Sequence, residues 1–263
     1  MPLKRTRIGQ LLQVTSLFAV LFTYGSVAET EVEQSQNLES IPLINETAKP
    51  DPTDFSATEL QQLQKRFGVH GPQTPLAQLF TAGLDHWAPL RGHTLNRLAE
   101  LMPRVRHEAK EKSLNPMFLT AILYDELQHA KPGEDSTLAI NSGIFQTHGP
   151  AQIGVEELIH QGILPKDPTP KQLEWGRNEL LNPEKNVTIL AGKMQRLIKA
   201  LEKNPKPNLN ASTSYRDAHL IATLAYLHNG KLDYPTRILK YMQDPALHAL
   251  VYSRLKPAVV SII

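Results

Sequence analysis

Apolar residues along this chain recur at helical spacing and scarcely alternate, so the pattern predicts helices and no convincing strand. Leu95, Leu98, Leu101 and Val105 share one side of a helix expected over 94–112, with Pro103 placed to kink or restart it. Val187, Leu190, Met194, Leu197 and Leu201 do the same for a helix opening at Asn182-Pro183-Glu184 and running to about Lys203. Asn115-Pro116 supplies a cap and a first-turn proline for a helix that must end near Lys131, because Pro132-Gly133 cannot continue it. Ser56 with Glu59 is a capping-box signature for a short helix that stops at Gly68. Further helices are expected at about 76–84, 155–162, 170–181 and 215–227, with two short ones towards the C-terminus. The segment 131–154 is rich in Gly, Ser, Asn and Pro and reads as a loop of the kind that carries function. The fold class expected is mainly α.

One position breaks the apolar logic. Phe118, Ile122 and Glu126 recur every four residues, so a carboxylate extends a stripe that should face the core. Ionising an acid there is unfavourable, which raises its pKa towards the range of a proton donor at neutral pH. Glu126 is therefore the leading catalytic candidate. The competing reading is a buried structural carboxylate.

Composition sets the setting. Lys4, Arg5 and Arg7 precede an interrupted apolar run from Leu11 to Phe22, and Ser26-Val27-Ala28 follows. This is the pattern of a secretory signal peptide spanning 1–28, with an uncleaved anchor as the alternative. Residues 29–54 are acidic and polar, with Pro50 and Pro52, and read as a flexible linker. The chain of 263 residues has no cysteine, which excludes a disulfide framework and thiolate chemistry. An exported protein of that kind fits a bacterial periplasm or secretion. Loss of Lys4, Arg5 and Arg7 takes the formal charge from +2 to −1, so nothing suggests a nucleic-acid footprint. Nor is any transmembrane segment expected once the signal is removed.

Four segments in order, AILYDELQHA (121–130), SGIFQTHGPAQIG (142–154), LLNPEKNVTILAGKMQRLI (180–198) and IATLAYLHNGKLDY (221–234), resemble the lytic transglycosylases and the wider lysozyme-like superfamily. The resemblance covers roughly residues 114–245. It is that of a divergent member: Leu127 stands where the family usually has Ser, and Pro150-Ala151 replaces Leu-Met before Gln152. The resemblance implies a lysozyme-like helical domain over 114–263 behind an additional helical region over 55–113. It also implies cleavage of the peptidoglycan glycan strand between N-acetylmuramic acid and N-acetylglucosamine, without a cofactor. Glu126 would act as acid and then base, Gln152 and Ile153 would line the sugar subsite, Tyr226 would orient Glu126, and Asn229 would bind substrate in a rearranged last motif.

Other readings stand beside these. Gln152 would also serve to satisfy loop backbone, Tyr226 to pack in the core, Asp125 as a solvated or capping residue, and Asn182 as a helix cap. Glu134 or Asp135 would supply a second carboxylate for hydrolysis. The Glu-x-x-His pairs Glu126/His129 and Glu157/His160 have the spacing of di-iron bundle sites, although a Gly/Pro-rich loop separates them. A non-catalytic periplasmic protein binding glycan or a partner on the same fold is the third class.

Overall fold

The computed structural model describes residues 51–85, 87–130, 146–201 and 215–253. The signal segment 1–28, nearly all of the linker, and the loop acids Glu134 and Asp135 lie outside these residues. Among the described residues there are ten helices: α1 (Ala57–Phe67), α2 (Pro75–Asp85), α3 (Ala88–Glu111), α4 (Pro116–Gln128), α5 (Val155–His160), α6 (Pro170–Leu181), α7 (Pro183–Leu201), α8 (Tyr215–Asn229), α9 (Tyr234–Tyr241) and α10 (Pro245–Tyr252). A two-stranded antiparallel hairpin, β1 (Thr147–His148) and β2 (Ile153–Gly154), is the only strand pairing among them. The fold is mainly α, as the hydrophobic pattern implies. No helix of the described residues is long and apolar enough to cross a membrane.

Local signals set the helix boundaries. The Ser56/Glu59 capping box forms as a reciprocal pair, and Gly68 ends α1 in the left-handed region at φ 64°. Asn115 caps α4 by accepting from the Met117 and Phe118 amides at 2.8 and 3.3 Å. Asn182 accepts from the Lys185 amide at 3.0 Å and so starts α7. Pro103 does not restart the chain: α3 runs through it without a break. It costs the bond to the Ala99 carbonyl, but both residues lie on the exposed face, where solvent can take that carbonyl.

The core is built around α4, which packs against α3, α9 and α10. From Met117 to Gln128 every residue of α4 is buried except Glu126. The helix is thus apolar nearly all round, not striped, and occupies the centre of the protein. Because α3 shares this core, the boundary expected between 113 and 114 runs through one packed body. The described residues fall in a single compact unit.

The hairpin needs a partner from far away. Asn186 on α7, fully buried, donates to the His148 and Leu180 carbonyls at 2.9 Å each and accepts from the Ala151 amide at 2.8 Å. Gly149 (φ 73°) makes this approach possible, since a Cβ there would lie 2.2 Å from the Leu180 carbonyl oxygen. The turn closes with Gln152 at φ 45°, its amide donating to the Gly149 carbonyl at 2.9 Å.

Candidate active site

The single opening in the burial of α4 is where a cleft of about 340 Å³ meets Glu126. Its walls come from four places. The α1–α2 layer supplies Gln73 and Thr81, α4 supplies Asp125 and Glu126, the hairpin supplies Thr147 and Gln152, and the α8–α9 region supplies Asn229, Lys231 and Arg237.

The Glu126 side chain is only 12% exposed. Its Oε1 accepts from the Tyr234 hydroxyl at 2.8 Å and lies 3.5 Å from both Asn229 Nδ2 and His228 Nε2. Burial, and then the charge of Asp125, push the carboxyl up to about 7, while the bonds from Tyr234 and Asn229 pull the other way. Burial and the Glu126 charge keep the Tyr234 phenol well above its ordinary value, so it stays a donor. Burial and then Lys193 hold His228 well below the usual histidine range, so its imidazole is neutral at pH 7.

Asp125 is not a solvated residue. It is buried and accepts two bonds from Arg237, at 2.8 and 3.1 Å. Burial opposes its ionisation, yet His129 and Arg237 outweigh it and hold Asp125 below the usual carboxylate range. His129 Nε2 meets Asp85 at 3.1 Å, and its Nδ1 is 3.4 Å from Asp125, a charge contact and not a formed hydrogen bond. Against the pull of burial, these two acids raise His129 to about 9. Asp85 also accepts from Tyr241 at 2.7 Å, which closes a polar network behind the cleft floor.

Among the other sequence candidates, Gln152 and Asn229 reach the cleft. The Gln152 side chain accepts from Thr147 at 2.7 Å and donates to the Gly149 carbonyl at 3.2 Å, so it braces its own turn while facing the cleft. Ile153 does not line it: the side chain is fully buried beneath the hairpin. Tyr226 is likewise buried, its ring tilted against Phe55, and donates to the His70 carbonyl at 3.0 Å instead of to Glu126. Tyr234, eight positions later, makes the hydrogen bond to Glu126 expected of Tyr226. Sequence reasoning missed Tyr234, Arg237 and Gln73. The one local sign was Asp233-Tyr234-Pro235, a helix start that points its first side chains back towards α4.

The Glu-x-x-His pairs do not converge. Glu157 is engaged by Arg196 at 2.5 and 3.0 Å and by Gln161 at 2.9 Å, while His129 faces Asp85. No group of three or more His, Cys, Asp or Glu side chains among the described residues is placed to hold a metal ion. Compared with known proteins, the chain matches no family model, no curated protein and no solved structure.

Proposed function

We propose that this protein is a lysozyme-like lytic transglycosylase that cleaves peptidoglycan glycan strands between N-acetylmuramic acid and N-acetylglucosamine. The observation that carries this reading is Glu126, an acid on a buried helix with its carboxyl raised to about 7 and open only into a polar cleft. Every polar contact described for it falls on Oε1, which leaves Oε2 to hold the proton.

The chemistry follows from one such acid. Oε2 gives its proton to the glycosidic oxygen as the C1–O bond breaks. The sugar's own N-acetyl oxygen traps C1, as the resemblance implies. The Glu126 carboxylate then takes the proton of the C6 hydroxyl, whose oxygen displaces the trap and leaves a 1,6-anhydro end. Asp125 supports this single-acid scheme because its oxygens are committed to Arg237 and it is unavailable as a nucleophile.

The test is mass spectrometry of soluble products from purified sacculi incubated with the protein and with Glu126→Gln. Anhydro-muropeptides from the wild type alone are expected. Reducing-end products would make it a hydrolytic lysozyme, and binding to sacculi with no product from either would make it a glycan-binding protein.

A further inference from the structure

The N-terminal layer, whose sequence carries no part of the transglycosylase resemblance, is fastened to the turn that follows α8. The His70 amide donates to the Gly230 carbonyl at 3.0 Å, and the Gln73 amide to Asp233 Oδ1 at 3.0 Å. Asp233 is itself held by Arg237 Nη1 at 2.7 Å, and the Tyr226 hydroxyl reaches the His70 carbonyl. The bonds to His70 and Gln73 join positions some 160 residues apart and place Gln73 and Thr81 in the same cleft wall as Lys231.

Two groups in that wall have nothing to do within the protein. Lys231 is half-buried and lines the cleft, yet its ammonium has no hydrogen bond or ion pair among the described residues. The other cations of the cleft are occupied: Arg237 by Asp125 and Asp233, His129 by Asp85. Gln73 Oε1 is shielded from solvent and accepts no hydrogen bond. An acceptor left so is costly unless a ligand donor reaches it. A free ammonium and an unsatisfied amide acceptor on one cleft suit a substituent that carries both a carboxylate and an N–H.

We infer that Gln73, Thr81 and Lys231 form a subsite for a carboxylate- and amide-bearing substituent of the glycan, so the enzyme selects acidic muramyl strands over neutral ones. This rests on the glycan-cleaving reading above and specifies the substrate of the same cleft. Two parts of such a strand carry that chemistry. One is the lactyl carboxylate of peptide-free muramic acid beside its N-acetyl group. The other is the stem peptide with its terminal carboxylate.

Binding of soluble tetrasaccharides to the Glu126→Gln protein separates the cases by titration calorimetry, since no turnover intervenes. The probes are chitotetraose, a peptide-free muramyl tetrasaccharide, and the same strand with stem peptides. In that background, Lys231→Met should weaken one or both acidic probes roughly tenfold, the scale of one charge-assisted hydrogen bond, and leave chitotetraose unchanged. Lys231→Arg should restore most of the loss. A loss confined to the peptide-bearing strand assigns the stem carboxylate, and a loss shared by the peptide-free strand assigns the lactyl group. Equal affinity of Lys231→Met for all probes, relative to its parent, overturns the subsite and leaves the glycan reading intact. If no probe binds the parent at all, the glycan reading falls and the subsite with it.

Discussion

The two walls of the cleft are held by different physics. Helix α4 is embedded in side chains, with Phe118 and Ile122 wholly removed from solvent. The α1–α2 layer has almost no buried side chain of its own: none in α1, and in α2 only Thr81, while Leu76, Leu79 and Phe80 are largely exposed. One wall rests on full apolar burial, the other on the half-buried contacts of Phe55, Leu60, Leu63 and Phe67 with the core and on a few long-range polar bonds to the α8–α9 turn. The acid therefore sits on the rigid side, and Gln73 and Thr81 of the surface that would select substrate sit on the side able to yield. Rigid support suits a proton donor that must hold its geometry, whereas a loosely held layer opens at low local free energy.

The sharpest break in that comparison is chemical. Glu126→Gln keeps the shape of the side chain and the bonds from Tyr234 and Asn229 but carries no transferable proton. Product release from sacculi should fall by about 10²–10⁴-fold, the range for losing a positioned acid, with an unchanged circular dichroism spectrum. Retention of a tenth of the activity would show that the proton comes from elsewhere.

Stability should divide along the same line. Phe118→Ala removes a fully buried ring from the centre of the core, and chemical denaturation should show a loss of about 3–5 kcal/mol. Leu79→Ala trims a side chain that is 71% exposed and should change stability by less than about 0.5 kcal/mol. Comparable losses from the two would mean that α2 is buried as firmly as α4.

The pins themselves can be drawn. Asp233→Ala removes the acceptor of the Gln73 amide and one partner of Arg237, at a cost of about 1–2 kcal/mol. Amide hydrogen exchange should speed up through 57–85 while α4 keeps its protection. Asp233→Asn retains an oxygen for Gln73 and should hold the layer in place. Uniform loss of protection across both walls would show that they open as one.

What the sequence made legible follows the same division. The caps at Ser56, Asn115 and Asn182 act within three residues, so their helices could be read locally. Glu126 stood out because a carboxylate among Phe118 and Ile122 is anomalous whether the helix is striped or buried all round. The hairpin was illegible because its strands are two residues long and their support, Asn186, comes from α7. Choosing Tyr226 over Tyr234 was a tertiary question: both are buried tyrosines, and only packing decides that one reaches His70 and the other Glu126. The reach of Gln73 into the cleft depends on Asp233, 160 positions on, and no local pattern encodes it.

The gentlest perturbation acts on the proton itself. Glu126 in the folded protein titrates at about 7 against a usual 4.5, because burial and Asp125 disfavour its charge. A carboxyl raised in this way lends stability below the unfolded value and loses it as pH climbs through 7, since the unfolded chain has by then given up the proton that the native state retains. Wild type should therefore become less stable between pH 4.5 and 7 relative to Glu126→Gln, which has no such titration. The alkaline limb of kcat/KM should report the same group, with activity held below about pH 7 and declining above it. Tyr234→Phe deletes the 2.8 Å bond that favours the ionised form, so the declining limb should move to higher pH. Turnover at pH 6 should change by only a few-fold, the orientation lost with one neutral hydrogen bond. A limb that stays in place would mean that Tyr234 positions Glu126 without tuning it, and a limb that moves down would mean that the phenol stabilises the protonated acid.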